Sequence, residues 1–333
     1  MKRLQQQYTE LLEQYLKEKN EKALYYAQQF SRRFIEKEVA PEEVVSIHKE
    51  SHLAICPKTK ESVEASYDFL IEMMIHYGLA LREHQSMVKE REKYQYEIEV
   101  AADVQRTLLK TRKPYLEGLE IGYITEAAAK MSGDYVYFSQ GEHQIGVAVA
   151  DVIGKGVPAA LCMSMIKFGM DSATTGRNHP HDVLTTINRT VEKSISDMMF
   201  ISMFYGTYDS RTATFTYGSA GHEPALLYRA EKESIELLDA KGLLLGVHPV
   251  VTYEEQQVVL QEGDFIAIMT DGVTEAKIDE QFITDEQLQQ MLIERHQLPA
   301  QQMAEELYNQ LMQAQNFELR DDFTVVILKK VGK

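Results

Sequence analysis

The chain has 333 residues, of which 44% are hydrophobic and 26% charged, and a net charge of −16. Such a length accommodates two domains and such a composition a sizeable buried core. The acidic balance argues against a nucleic-acid binder, which needs Lys and Arg to neutralise phosphates. No apolar run approaches the roughly 20 residues of a membrane helix. The opening Met1-Lys-Arg-Leu-Gln-Gln-Gln7 lacks an apolar signal core. With only Cys56 and Cys162, far apart, a reduced and cytoplasmic setting is expected.

The charge is unevenly spread. Residues 1–84 carry 12 Lys and Arg against 14 Asp and Glu, so most of the excess lies beyond them. An acidic second part suits divalent cations or plain solubility equally.

Residues 1–84 read as all helix. Tyr8, Leu11, Leu12, Tyr15 and Leu16 fall on one helical stripe. A second helix is expected over 21–37. A third opens at Pro41-Glu42-Glu43, proline and acids suiting a first turn. A fourth starts near Glu61 and carries Phe69, Leu70, Met73, Met74 and Tyr77. His48, His52 and His76 show no ligand spacing and read as surface or packing residues. A small bundle for dimerisation or partner docking follows from these features.

No proline or glycine interrupts Leu79 to Leu109. Met87, Arg91, Tyr94, Ile98, Ala101, Gln105 and Leu108 step by fours and threes, the seam of a coiled coil. Two polar residues and an alanine weaken it, as a switchable dimer linker requires. A solvated connector packed on its own domain is the alternative. Three domains are expected: a helical regulatory and dimerisation domain over 1–84, a linker over 85–112, and a catalytic domain over 113–333.

After Thr111-Arg-Lys-Pro114 the pattern turns to short β-type runs at 121–124, 135–138, 145–150, 200–208, 212–217, 225–228, 234–238, 256–260, 265–269 and 323–328. Helical patterns occupy 159–170, 181–195, 285–295 and 300–314. Many antiparallel strands with helices in two pairs fit two packed sheets covered by helices, an α+β class.

Four aspartates stand at strand ends. Asp134 is expected just before a strand and Asp151 just after one; Asp271 follows 265–269 and Asp321-Asp322 precedes 323–328. If neighbouring strands are antiparallel, these ends share one edge. Clustered Asp without His or Cys favours Mg²⁺ or Mn²⁺ over zinc. Gly154-Lys-Gly156-Val-Pro-Ala159 also fits the G-x-G-x-x-A dinucleotide loop. Proline at its fifth position and a helical pattern where a second strand belongs count against it. Neither cysteine lies in a C-x₅-R loop.

Taken together, Ser132-Gly-Asp-Tyr135, Ala150-Asp-Val-Ile-Gly-Lys-Gly-Val-Pro-Ala-Ala160, Phe200–Tyr205, Ser219-Ala-Gly-His222, Thr270-Asp-Gly-Val-Thr-Glu275 and Asp321-Asp-Phe-Thr324 resemble the motifs of PPM-type serine/threonine phosphatases of the SpoIIE-like bacterial kind. The resemblance spans 115–330. Ala27-Gln-Gln-Phe-Ser-Arg32 and Pro41-Glu-Glu-Val-Val-Ser-Ile-His48 resemble the regulatory domain of sigma-B stress-pathway phosphatases.

The resemblance implies an αββα sandwich, preceded here by the helical bundle and the coiled-coil-like linker, and two Mn²⁺ or Mg²⁺ ions. Asp151 would bridge the ions and the Val152 carbonyl would bind one. Asp271 and Asp321 would complete the other, and Asp134 would act directly or through water. Asp151 and Asp271 are the catalytic pair, since a metal-activated water would attack phosphoserine in line. Lys155 and His222 are candidate substrate contacts; a solvated lysine and a structural histidine are the alternatives. The implied substrate is a phosphorylated anti-anti-sigma protein of the STAS type. The implied activator is a switch-kinase-like protein docking on the bundle of a homodimer, with no nucleic-acid or membrane partner. A dimeric docking module with weak or different phosphatase activity is the competing reading.

Overall fold

In the computed structural model the described residues are 2–19, 21–55, 59–154, 156–174, 179–194, 199–278 and 281–332. Cys56 and Lys155 lie outside them. The chain divides into two compact units, Met1–Glu97 and Ile98–Lys333.

The first unit holds α1 (Lys2–Glu18), α2 (Glu21–Glu36), α3 (Pro41–Ile55) and the start of α4 (Lys60–Leu108). Each lays one apolar stripe on a shared core of Tyr8, Leu12, Phe30, Phe34, Val44, Ile47, Phe69 and Met73. Tyr8 is the hub, its ring 5.9–6.0 Å from those of Phe30, Phe34 and Phe69. Its hydroxyl still needs a partner once buried. His48 supplies one, with Tyr8 Oη at 2.8 Å from Nδ1 and Ser66 Oγ at 3.0 Å from Nε2. Burial and nearby His52 lower the His48 ring to about 4, so it sits neutral. The helix α4 passes residues 84 and 85 unbroken.

The second unit runs, after α4, through β1 (Leu119–Glu126), β2 (Asp134–Gln140), β3 (Gln144–Val152), α5 (Val157–Ala173), α6 (Pro180–Ser194), β4 (Ile201–Asp209), β5 (Thr214–Ala220), β6 (Ala225–Arg229) and β7 (Ser234–Leu238). It continues with β8 (Gln256–Val259), β9 (Phe265–Met269), α7 (Asp271–Thr274), β10 (Lys277–Ile278), β11 (Gln281–Phe282), α8 (Asp285–Glu294), α9 (Ala300–Ala314) and β12 (Phe323–Lys330). Two five-stranded sheets form, ordered β1-β12-β9-β6-β7 and β2-β3-β4-β5-β8, antiparallel at every pairing.

The central strands β3, β9 and β12 are covered on both faces and so read as continuous apolar runs rather than alternating ones. In β3, Val147 and Val149 enter the core between the sheets, while Ala148 and Ala150 meet α5 and α6. In β9, Ile266 and Ile268 point between the sheets, while Phe265 and Ala267 meet α8 and α9. The result is the expected αββα sandwich.

Several local expectations change. Asp134 and Asp151 lie inside β2 and β3, paired directly with each other, rather than outside the strands. The Asp-Gly after β9 opens a one-turn helix, α7, that no sequence pattern marked. The two-residue strands β10 and β11 are too short to leave a periodic signal.

Candidate metal-dependent phosphatase site

Strand parity carries the carboxylates to one edge. Asp151 continues the inward positions Val147 and Val149, and Asp134 continues Val136, so both face the gap where the sheets separate. From the other sheet, Thr270 continues Ile266 and Ile268, and Thr324 continues Val326 and Leu328. Thr270 Oγ1 donates to Asp134 Oδ2 at 2.7 Å and accepts from the Thr324 N–H at 3.2 Å. These bonds lock the two sheets together across the site.

The loop after β3 is shaped by glycine. Gly154 and Gly156 have φ of 141° and 81°, a region that side chains resist. The chain therefore leaves the strand sharply and enters α5 with proline in the first helical turn. The Val152 N–H bonds the Gly133 carbonyl at 3.2 Å. A Cβ added to Gly133 would lie 3.4 Å from the Val152 carbonyl oxygen and 3.5 Å from Asp322 Oδ2. Val152, Gly133 and Asp322 thus crowd one rim. Gly272 is closer still: a Cβ there would meet the Asp322 carbonyl oxygen at 2.0 Å. Glycine is what lets the segment bearing Asp271 approach the one bearing Asp321.

The electrostatics record this crowding. Burial pushes the Asp151 carboxyl up to about 7, aided by the charges of Asp271, Asp321 and Asp322 and opposed by a hydrogen bond with Asp134. Asp134 also lies well above its ordinary value, chiefly through burial, although the neighbouring Thr324 and Thr270 hydroxyls oppose the rise. Like charges held in a poorly hydrated edge favour a proton or a cation. Among the described residues, no three Asp, Glu, His or Cys side chains gather closely enough to hold an ion. The donor set nevertheless suits a hard divalent cation, being all carboxylate and carbonyl oxygen.

Two residues beyond the expected set belong to this edge. Asp322 accepts from the backbone N–H groups of Ala128 and Gly133, at 2.8 and 2.5 Å, and from Ser132 Oγ at 3.2 Å. It therefore anchors the loop that leads into Asp134. Gln105, near the end of α4, clasps the Ser132 peptide: Nε2 donates to the carbonyl at 2.8 Å and Oε1 accepts from the N–H at 3.2 Å. Ala102 packs beside it with Met131 and Ala160. The Asp-Asp doublet hinted at Asp322, whereas no sequence signal marked Gln105 as anything but a seam position. His222 is buried, with Nδ1 2.8 Å from Ser202 Oγ and Nε2 3.1 Å from the Met269 carbonyl.

An antiparallel αββα sandwich with carboxylates along one edge defines the PP2C class of phosphatase folds. The sequence pattern of stage II sporulation protein E matches residues 141–331, and that of the N-terminal domain of phosphoserine phosphatase RsbU matches 6–80. The chain is 44% identical to phosphoserine phosphatase RsbU of Bacillus subtilis over 98% of each. It therefore belongs to the RsbU family of phosphoserine phosphatases, enzymes whose catalytic domain is of the SpoIIE type. The fold is shared with the SiaA-PP2C domain of Pseudomonas aeruginosa (TM-score 0.63, 19% identity, 72% of this chain and 98% of that one). It is shared too with the RsbU and RsbW domains of Rv1364c from Mycobacterium tuberculosis (TM-score 0.58, 21% identity, 67% and 62%). No helix among the described residues is long and apolar enough to cross a membrane.

Proposed function

We propose that this enzyme hydrolyses phosphoserine on an anti-anti-sigma protein of the STAS type, and that a switch-kinase-like protein docking on the helical unit stimulates it. The observation that carries the catalytic part is the meeting of Asp134, Asp151, Asp271 and Asp321 motifs at one sandwich edge, where Asp151 is pushed up to about 7. The partner chemistry is supported by 44% identity to RsbU over 98% of the chain and by the matched N-terminal domain. In Rv1364c an RsbU domain is joined to an RsbW domain, which fits partner switching.

Asp134, Asp151, the Val152 carbonyl, Asp271 and Asp321 would hold two Mn²⁺ or Mg²⁺ ions, which supply positive charge for the phosphoryl oxygens and an acidified water. The chain's own part is to aim the donors. Thr270, itself held by the Thr324 N–H, orients Asp134. Gly154 and Gly156 turn the backbone beyond Val152. Gly272 permits the close approach of the Asp271 and Asp321 segments. Lys155 stays a candidate phosphate contact.

The stimulation has a physical route. Met87, Tyr94 and Ile98 are exposed along α4, an apolar face that the linker of a second copy would cover. The same helix ends in the Gln105 clasp on Ser132, whose hydroxyl bonds Asp322 and receives the Asp134 N–H. Ordering α4 would thereby tighten the loop that carries Asp134. The enzyme is expected to act as a cytoplasmic homodimer.

The deciding experiment is phosphate release from a phosphorylated STAS protein, with Mn²⁺, Mg²⁺ or chelator, and with or without the activator. Turnover should need the cation and rise with the activator. Turnover undiminished in chelator, or in Asp151→Asn, would overturn the metal assignment. Ile98→Pro should lower stimulation more than basal turnover; stimulation that survives it would sink the linker route.

A further inference from the structure

The β6 edge of β9 ends in a carbonyl that the sheet cannot satisfy. The register pairs Leu226 with Ala267, and its continuation sets Pro224 opposite Met269. Thr270 already turns its N–H toward β12, donating to the Thr324 carbonyl at 3.1 Å, so the Met269 carbonyl faces β6. Proline has no N–H to give it. The His222 imidazole fills that place, Nε2 lying 3.1 Å from the carbonyl oxygen. A carbonyl only accepts, so Nε2 carries the proton and Nδ1 accepts from the Ser202 hydroxyl at 2.8 Å. Burial lowers the ring to about 4, which keeps that lone pair free of a proton.

The local chain is built to point this ring inward. Ser219 Oγ accepts the His222 N–H at 3.0 Å and reaches its carbonyl at 3.1 Å. Gly221 has φ of 66°, and a Cβ there would stand 2.8 Å from Leu244 Cδ2. The next residue, Glu223, accepts from Thr274 Oγ1 at 2.7 Å. One short turn therefore grips the segment on both sides of Asp271, before it at Met269 and after it at Thr274. Ser202, the other partner of the ring, is the β4 residue directly opposite Asp151 in β3.

We propose that His222, with Ser202 and Glu223, is a positioning group that sets the span between Asp271 and Asp151, and that it does not touch the phosphoserine substrate. The proposal rests on the reading of these two aspartates as metal ligands. Partners that orient ligands in this way are worth about 10- to 100-fold in metal affinity.

The test is Mn²⁺ binding to the full chain by titration calorimetry, together with KM and turnover on a phosphoserine protein. His222→Phe keeps a ring and loses both bonds. It should weaken Mn²⁺ binding about tenfold or more, leave KM for the substrate within about twofold, and recover turnover as Mn²⁺ is raised. His222→Gln, which can still donate and accept, should stay within about threefold of the parent. Ser202→Ala removes one bond without opening the core, and should weaken Mn²⁺ by a few-fold even if His222→Phe fails to fold. A raised KM with parental Mn²⁺ affinity would make His222 a substrate contact and overturn the proposal. So would parental Mn²⁺ affinity in Ser202→Ala and His222→Phe together. Asp271→Asn separates the two claims: if it binds Mn²⁺ like the parent, the metal site itself is misassigned, whatever His222 does.

Discussion

Removing the Asp271 charge should make the cation-free enzyme more stable while disabling it. Raising Asp151 from 3.8 to about 7 means the fold disfavours its ionised form. A difference of that size corresponds to ~4 kcal/mol. The sign follows from the direction: a carboxyl raised above its unfolded value binds more protons folded than unfolded, so stability falls as pH rises from 3.8 through about 7. Burial is the largest cause and Asp271 the largest neighbouring charge. Asp271→Asn should therefore return about 1 kcal/mol at pH 8, or ~2–4 °C in a catalytic unit of this size. The assay is thermal unfolding of the full chain in chelator and again with Mn²⁺, beside phosphate release. In chelator the variant should melt above the parent. With Mn²⁺ the parent should rise and the variant should not. Its turnover should fall at least ~100-fold. A variant that melts lower in chelator would refute the like-charge argument; one that gains equally from Mn²⁺ would refute the ligand role.

Gly272→Ala would drive a methyl into the Asp322 carbonyl. It should cost about 1–3 kcal/mol and at least tenfold in Mn²⁺ affinity by calorimetry. Gly122→Ala, whose Cβ would meet the Ala300 carbonyl oxygen at 2.1 Å, should destabilise similarly but spare Mn²⁺ affinity per folded molecule. In the helical unit, His48 is neutral when folded and takes a proton when unfolded, so its contribution is complete above about pH 6.5 and lost toward pH 4. Urea unfolding at pH 7 and pH 5 should differ by about 2 kcal/mol from this residue, and His48→Gln should flatten the dependence. Gln105→Ala removes two bonds to Ser132, together ~1–3 kcal/mol, and should cut the ratio of stimulated to basal turnover several-fold.

The elements that local chemistry specifies were legible in the chain. The helical stripes of Tyr8 to Leu16, the first-turn prolines Pro41 and Pro158, and the run of α4 from Leu79 without glycine or proline follow from residues close in sequence. The apolar runs of β3, β9 and β12 announced strands buried on both faces. The placement of four aspartates beside strand ends was legible as well, though only as a joint pattern. What the sequence could not carry is register, since pairing joins residues far apart in the chain. The tertiary structure alone set Asp134 opposite Asp151, stood Thr270 between Asp134 and Thr324, and brought Gly272 against Asp322. It also drew Gln105 out of a coiled-coil seam and onto Ser132, and set His222, a candidate substrate contact or structural histidine by sequence, against the Met269 carbonyl. The physical reason is common to all five. Each is a contact between residues far apart in the chain, made only once two strands, two sheets, or a helix and a loop have packed.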